Sequence, residues 1–147
     1  MSWTTTLSFQ LKNYLDPTND DYTEAFLSKF IAFAATEVFQ KLSLKNTYSI
    51  DIAIPSITPD PSLDIGLSSL LVLKAAEIVI RHELKQAVVS AGYSIKDDRV
   101  SISGTEALKA LKDLLAEFQK NYAQAEFAYI RGDATIGRAI LSPYTSR

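Results

Sequence analysis

A single histidine, His82, bounds the acid–base chemistry open to this 147-residue chain. His82-Glu83 opens like the HExxH signature of zinc peptidases, whose two imidazoles must share one helix face, but the closing position is Gln86. A lone imidazole cannot build that face, so His82 reads as a helix-surface or internally satisfied residue. No serine stands in a GxSxG elbow, and any triad would have to draw on the same histidine. The chain has no cysteine, which removes thiolate metal sites, iron–sulfur clusters, disulfide scaffolds and a thiol nucleophile. Asp16, Asp20, Asp21 and Glu24 are near enough to gather round calcium, but their spacing is not that of an EF-hand, and helix capping explains part of the cluster. Asp97-Asp98 fits turn chemistry. Glycines 66, 92, 104, 132 and 137 are dispersed, with no phosphate-cradling cluster. Arg131-Gly132-Asp133 reproduces an adhesion tripeptide by coincidence, at an expected helix stop. The seven tyrosines and seven phenylalanines follow helical or strand periods, without the interleaved basic residues of a nucleic-acid stacking platform. The expectation is no catalytic residue, no metal and no cofactor.

The elements that would carry these residues are mostly helical. Leu7 to Leu15 predicts a short helix or turn ending near Asp16-Pro17. From about Tyr22 to Leu42, Phe26, Leu27, Phe30, Ile31, Ala34, Val38 and Leu42 recur at helical steps, with Asp21 and Glu24 resembling an acidic capping box. Tyr48, Ile50, Ile52 and Ile54 alternate with Ser49, Asp51 and Ala53, predicting a half-buried strand. Pro55, Pro59 and Pro61 predict a stiff loop after it. A second long helix is expected over about Leu63–Ala91, stopped by Gly92. Its polar stripe is Lys74, Glu77, Arg81 and Lys85, and the rest is apolar enough to be sandwiched in a core. Tyr93 and Ile95 are expected opposite Ile102 and Val100 in a hairpin. Ser103-Gly104-Thr105-Glu106 reads as a capping box for a third long helix, ended by Gly132. On that helix Leu108, Leu111, Leu115, Phe118, Tyr122, Ala125 and Tyr129 form a heptad face, matched to a partner helix for about 30 Å. Packing inside the monomer is the expected use, a subunit seam the alternative.

The architecture expected is mainly α: a three-helix core with a short strand and a small β-hairpin, and an extended C-terminal arm. Residues 1–131 form one domain, and residues 132–147 an interaction arm. The arm has no helical or strand period yet carries Ile136, Ile140, Leu141 and Tyr144, which need a cover, either their own domain or another polypeptide. The second is the reading preferred here. Charge is uneven: residues 1–64 sum to −4, residues 65–130 to zero and residues 131–147 to +2. The total of −2 gives no support to a nucleic-acid coat or a polybasic membrane binder. Met1-Ser2-Trp3-Thr4-Thr5-Thr6 lacks the basic flank and apolar run of a signal peptide, and Lys74 stops the apolar run Leu70-Leu71-Val72-Leu73, so a soluble intracellular protein is expected.

The segment Leu11-Lys12-x-Tyr14-Leu15-Asp16, followed by Asp20-Asp21-x-x-Glu24-Ala25-Phe26-Leu27 and by Ala34-Ala35-x-x-Val38, resembles the opening of head–tail connector adaptor (head-completion) proteins of tailed bacteriophages. The later order is also similar: strand, long apolar helix, hairpin, last helix, C-terminal tail. The resemblance covers about residues 7–131 in pattern, with its specific match at 11–38. The loop Pro55–Leu63 and the third helix look longer than a minimal member needs.

The resemblance implies a non-enzymatic structural virion protein, assembled in the host cytoplasm and resident at the head–tail junction. It implies a homo-oligomeric neck ring, commonly a dodecamer, docked beneath the portal protein and offering its other face to the tail or a tail-completion protein. DNA would pass through the ring without sequence-specific binding. The arm residues Ile136, Arg138, Ile140, Leu141 and Tyr144 would dock to the portal or a neighbouring subunit. The strand residues Tyr48, Ile50, Ile52 and Ile54, and the hairpin Tyr93–Ile102, would supply pairing edges between subunits. The alternative is a small helical regulatory or ligand-binding module whose heptad face is a dimer seam.

Overall fold

The computed structural model of the chain describes the backbone over residues 2–44, 46–94 and 101–145, and side chains over 2–44, 46–90 and 106–132. Helix α1, Trp3–Leu15, starts where the Ser2 hydroxyl accepts the Thr4 N–H, and ends at Asp16, the residue before Pro17. Trp3, Leu7 and Leu11, four residues apart, bury one stripe of it. Helix α2, Glu24–Lys41, is capped by Thr23, whose hydroxyl accepts the Phe26 N–H at 3.2 Å. The cap is therefore two residues later than the Asp21 box predicts. The reason is local: the Asn19 carboxamide takes the Asp21 N–H at 2.9 Å, holding that stretch in a turn.

Helix α3, Ile65–Ser94, lies at the centre and packs against α1, α2 and helix α4, Ser101–Thr145. Leu67, Leu70, Leu71, Val72, Ala75, Ala76, Val79 and Ile80 are all buried, so apolar side chains leave α3 on every side and each side needs a cover. The sandwiched helix expected from the sequence is what forms. The heptad face of α4 supplies one cover from within the monomer, with Phe118 and Tyr122 buried and Leu111, Leu115, Ala125 and Tyr129 packed on the same core.

The mainly α architecture with one small antiparallel hairpin stands, but the hairpin is elsewhere. Strand β1, Ser49–Asp51, pairs with β2, Ser56–Thr58, in the register Ser49↔Thr58, Ile50↔Ile57 and Asp51↔Ser56. The alternation of Tyr48 to Ile54 is cut short because the Asp51 carboxylate accepts the N–H groups of Ala53 and Ile54 and turns the chain. The proline-rich loop thus supplies the second strand and a 3₁₀ turn, Pro61–Leu63. The hairpin expected over Tyr93–Ile102 does not form: Tyr93 and Ser94 end α3, Ser101 and Ile102 begin α4, and residues 95–100 lie outside the described residues. Two alternating residues on each side are too few to outweigh continuation of the flanking helices.

Two expected stops and one expected start lie inside helices. Gly92 lies within α3, the Ser103 capping box lies within α4, and Gly132 does not end α4, which continues as helix to Thr145. The segment expected to be an extended arm is thus a helical extension. A glycine inside a helix costs only about 1 kcal/mol, and Gly132 does not take the positive φ of a helix-stopping turn.

Leu71 is fully buried at the centre of this packing. Leu71→Ala is expected to cost about 2–5 kcal/mol, with the urea midpoint lowered at unchanged slope in equilibrium denaturation followed by circular dichroism.

Candidate functional site

Cross-helix contacts fix the relative directions of α2, α3 and α4. Phe30 of α2 packs its ring 5.7 Å from that of His82 in α3, and Glu37 meets Lys74 at 3.3 Å, so α2 and α3 are antiparallel. Lys74 sits 5.0 Å over the Tyr122 ring of α4, and the Tyr129 hydroxyl donates to Asp64 at 3.2 Å just before α3 begins, so α3 and α4 are antiparallel too. Helices α2 and α4 therefore run the same way, tied by Lys41 to Glu126 at 3.0 Å. The molecule has two chemically different ends.

Between them lies a dehydrated charge. Glu77 is only 4% exposed, and its carboxylate accepts hydrogen bonds from Lys74 at 3.2 Å and from Arg81. Lys74 is shared with Glu37 of α2 and lies over Tyr122 of α4, so one ammonium touches three helices. Burial raises the Tyr122 phenol to about 12, with the carboxylates of Glu126 and Glu77 adding to the effect. The sequence pattern marked Lys74, Glu77, Arg81 and Lys85 as a polar stripe; burial of Glu77 among them is a tertiary outcome. The signal was present as three charges at three- and four-residue steps in an otherwise apolar helix.

The first end is the α1–α2 junction. Asp16, Asp20, Asp21 and Glu24 are all exposed there. Asp16 accepts the Thr18 hydroxyl and N–H at 2.6 and 2.9 Å, which together with nearby Lys12 hold its carboxyl below the usual carboxylate range. Glu24 accepts the Thr5 hydroxyl at 3.2 Å. Tyr22 turns inward and donates to Glu83; burial, then that carboxylate, raises its phenol far above the ordinary value. His82 lies beside this corner, packed on Phe30, its ring 3.1 Å from the Gln86 amide. Among the described residues no group of three or more His, Asp or Glu is placed to hold a metal ion.

The second end carries the hairpin and the start of α3. A groove of about 310 Å³ runs there between Leu44, Tyr48, Asp64, Tyr129 and Gly132. Close approach is built in: a Cβ on Gly66 would lie 2.9 Å from the Tyr129 ring. Of the strand residues expected at subunit edges, Tyr48 is half-buried and stacks on Phe39 with ring centroids 4.7 Å apart, and Ile50 is half-buried opposite Ile57. Ile52 is half-buried in the turn, whereas Ile54 is 75% exposed at its tip. Leu63 and Ile65, not singled out by any period, are each 83% exposed at the same end. The backbone carrying Ile136, Arg138, Ile140, Leu141 and Tyr144 is the last part of α4, and their side chains lie outside the described residues.

No helix is long and apolar enough, among the described residues, to cross a membrane. Comparison with protein-family models, with curated proteins and with solved structures finds no match.

Glu77→Ala removes the acceptor shared by Lys74 and Arg81, leaving Lys74 to Glu37 and the Tyr122 ring and the part-exposed Arg81 to solvent. A loss of about 1–3 kcal/mol is expected in chemical denaturation, with Glu77→Gln losing less because it keeps a hydrogen-bond acceptor. Absorbance titration of the phenols should show Tyr122 ionising near pH 12, a transition that Tyr122→Phe removes. Its folded-state value lies above the ordinary 10.0, so its stabilising contribution is complete below pH 10 and is lost as pH rises through about 12.

Proposed function

We propose that the chain is a structural assembly protein, an adaptor subunit of the head–tail junction of a tailed phage. It joins copies of itself in a ring, commonly a dodecamer, between the portal and the tail or a tail-completion protein, and DNA passes through the ring without sequence-specific contacts. The observation that carries this reading is the length of α4. Its packing on α3 reaches the level of the first α3 residues at Tyr129, and the helix then runs on for thirteen residues past Gly132. At 1.5 Å per residue that is about 20 Å of helix, and the sequence places Ile136, Ile140, Leu141 and Tyr144 along it. An extension of this kind gains its binding energy from a second polypeptide, and repeated copies in a ring add by effective concentration. In this reading the extension, with Ile136, Arg138, Ile140, Leu141 and Tyr144, docks on the portal or a neighbour, and the exposed hairpin tip at Ile54 meets a subunit.

The reading of a dimeric regulatory module used the heptad face of α4 as its seam. Phe118 and Tyr122 of that face are 5% and 6% exposed within one copy, so the seam is already taken.

The test combines the full chain with the portal protein of the same genome in negative-stain microscopy and native mass spectrometry. A portal ring carrying an added collar of this chain is the expected result; portal rings that stay bare in excess chain would overturn the reading. A chain ending at Arg131 is expected to melt within a few degrees of the full chain and to form no collar. A large fall in melting temperature would return the extension to the monomer's own core.

A further inference from the structure

We propose that copies of this chain associate head to tail, the helical C-terminal extension of one copy seating on the acidic corner at the α1–α2 junction of the next. Two complementary surfaces support it. The corner carries Asp16, Asp20, Asp21 and Glu24 against the single cation Lys12, net −3 over residues 12–24. All four carboxylates are exposed, and among the described residues none is ion-paired; the ion pairs gather instead at Glu37, Glu77 and Glu126. Apolar surface adjoins this charge: Phe9 is 68% exposed and lines a groove of about 350 Å³ whose other wall includes Asp20 and Glu24. Residues 131–147 have the matching character, net +2 with Ile136, Ile140, Leu141 and Tyr144 interspersed. Opposite charge around apolar contact favours encounter and fixes orientation.

The topology makes the contact intermolecular. The corner sits level with Glu83 of α3, through Tyr22, whereas α4 passes the beginning of α3 at Tyr129 and continues onward. Those two levels are eighteen α3 residues apart, counting from Ile65 to Glu83, or about 27 Å along the axis. Because α4 leads away from the corner, an extension cannot fold back onto its own copy without breaking the helix. A surface at one end that fits a different surface at the other end makes a heterologous interface, which closes into a ring or grows as a filament and does not stop at a two-fold dimer. The inference rests on the assembly reading above and specifies which surfaces of the chain meet.

Two full-length variants test it, a corner variant, D20K/D21K, and a tail variant, R138E/I140D, each checked for native circular dichroism. In sedimentation velocity the full chain should form concentration-dependent oligomers beyond a dimer, weakened by salt. Each variant alone keeps one working surface and should self-associate at least about tenfold more weakly. In an equimolar mixture, the tail variant's corner accepts the corner variant's tail, and the assembly should stop at a heterodimer. The proposal is overturned by a mixture that stays monomeric, by a corner variant that associates as the full chain does, or by a full chain monomeric at every concentration. Portal-bound collars that form equally well from the full chain and from the corner variant would overturn the head-to-tail contact while leaving the adaptor reading standing. Portals that stay bare with the full chain, alongside the heterodimer, would do the reverse.

Discussion

The Glu77 carboxylate is the constraint around which the bundle is organised. Between Leu67 and Ile80, helix α3 sends buried apolar side chains to every side, and covering that stretch takes Glu77 out of water. A dehydrated carboxylate is tolerable only with donors that satisfy its oxygens. Lys74 and Arg81 do this from within α3. Because Lys74 must in turn be accommodated by Glu37 and the Tyr122 ring, the charge reaches α2 and α4. The shared ammonium adds a register-specific tie to the side-chain packing of the three helices. The second tie, Lys41 to Glu126, repeats the arrangement one turn further along α2 and α4.

That register gives the molecule its polarity. With α2 and α4 parallel and α3 reversed between them, the acidic α1–α2 junction and the continuing end of α4 lie at opposite ends. The hairpin and the start of α3 gather at the end where α4 leaves the core, together with exposed Ile54, Leu63 and Ile65. The two ends differ in chemistry: isoleucine and leucine side chains are exposed at one, and the carboxylates of Asp16, Asp20, Asp21 and Glu24 beside Phe9 at the other.

Much of this was legible in the residue pattern. The three- and four-residue steps of Leu27, Ile31, Ala34 and Val38, and of Phe118, Tyr122 and Ala125, located α2 and α4 and the faces they bury. The largely apolar run from Leu67 to Ile80, broken only by Ser68, Ser69, Lys74 and Glu77, identified the central helix. The punctuation was less legible. Gly92, Gly132 and the Ser103 box all carry the chemistry of helix ends, yet the helices run through them. A stop signal is worth about 1 kcal/mol, and neighbouring turns outweigh it. The strand misled for the opposite reason: the alternation of Tyr48 to Ile54 was real, but the Asp51 carboxylate captured two backbone N–H groups and turned the chain after three residues.

Periodicity along the chain was therefore sufficient to determine a helical protein with a sandwiched third helix and a heptad face, because burying apolar area rewards each such pattern wherever a partner lies. It also fixed the acidic front and basic end, since charge needs no fold to be counted. Only the tertiary structure decided that Glu77 is dehydrated, that the heptad face is spent within one copy, and that front and end point in opposite directions. Those outcomes depend on which helices are neighbours and in which sense they run. That is a choice among packings of similar buried area, made by a few charges and close approaches between residues far apart in the chain.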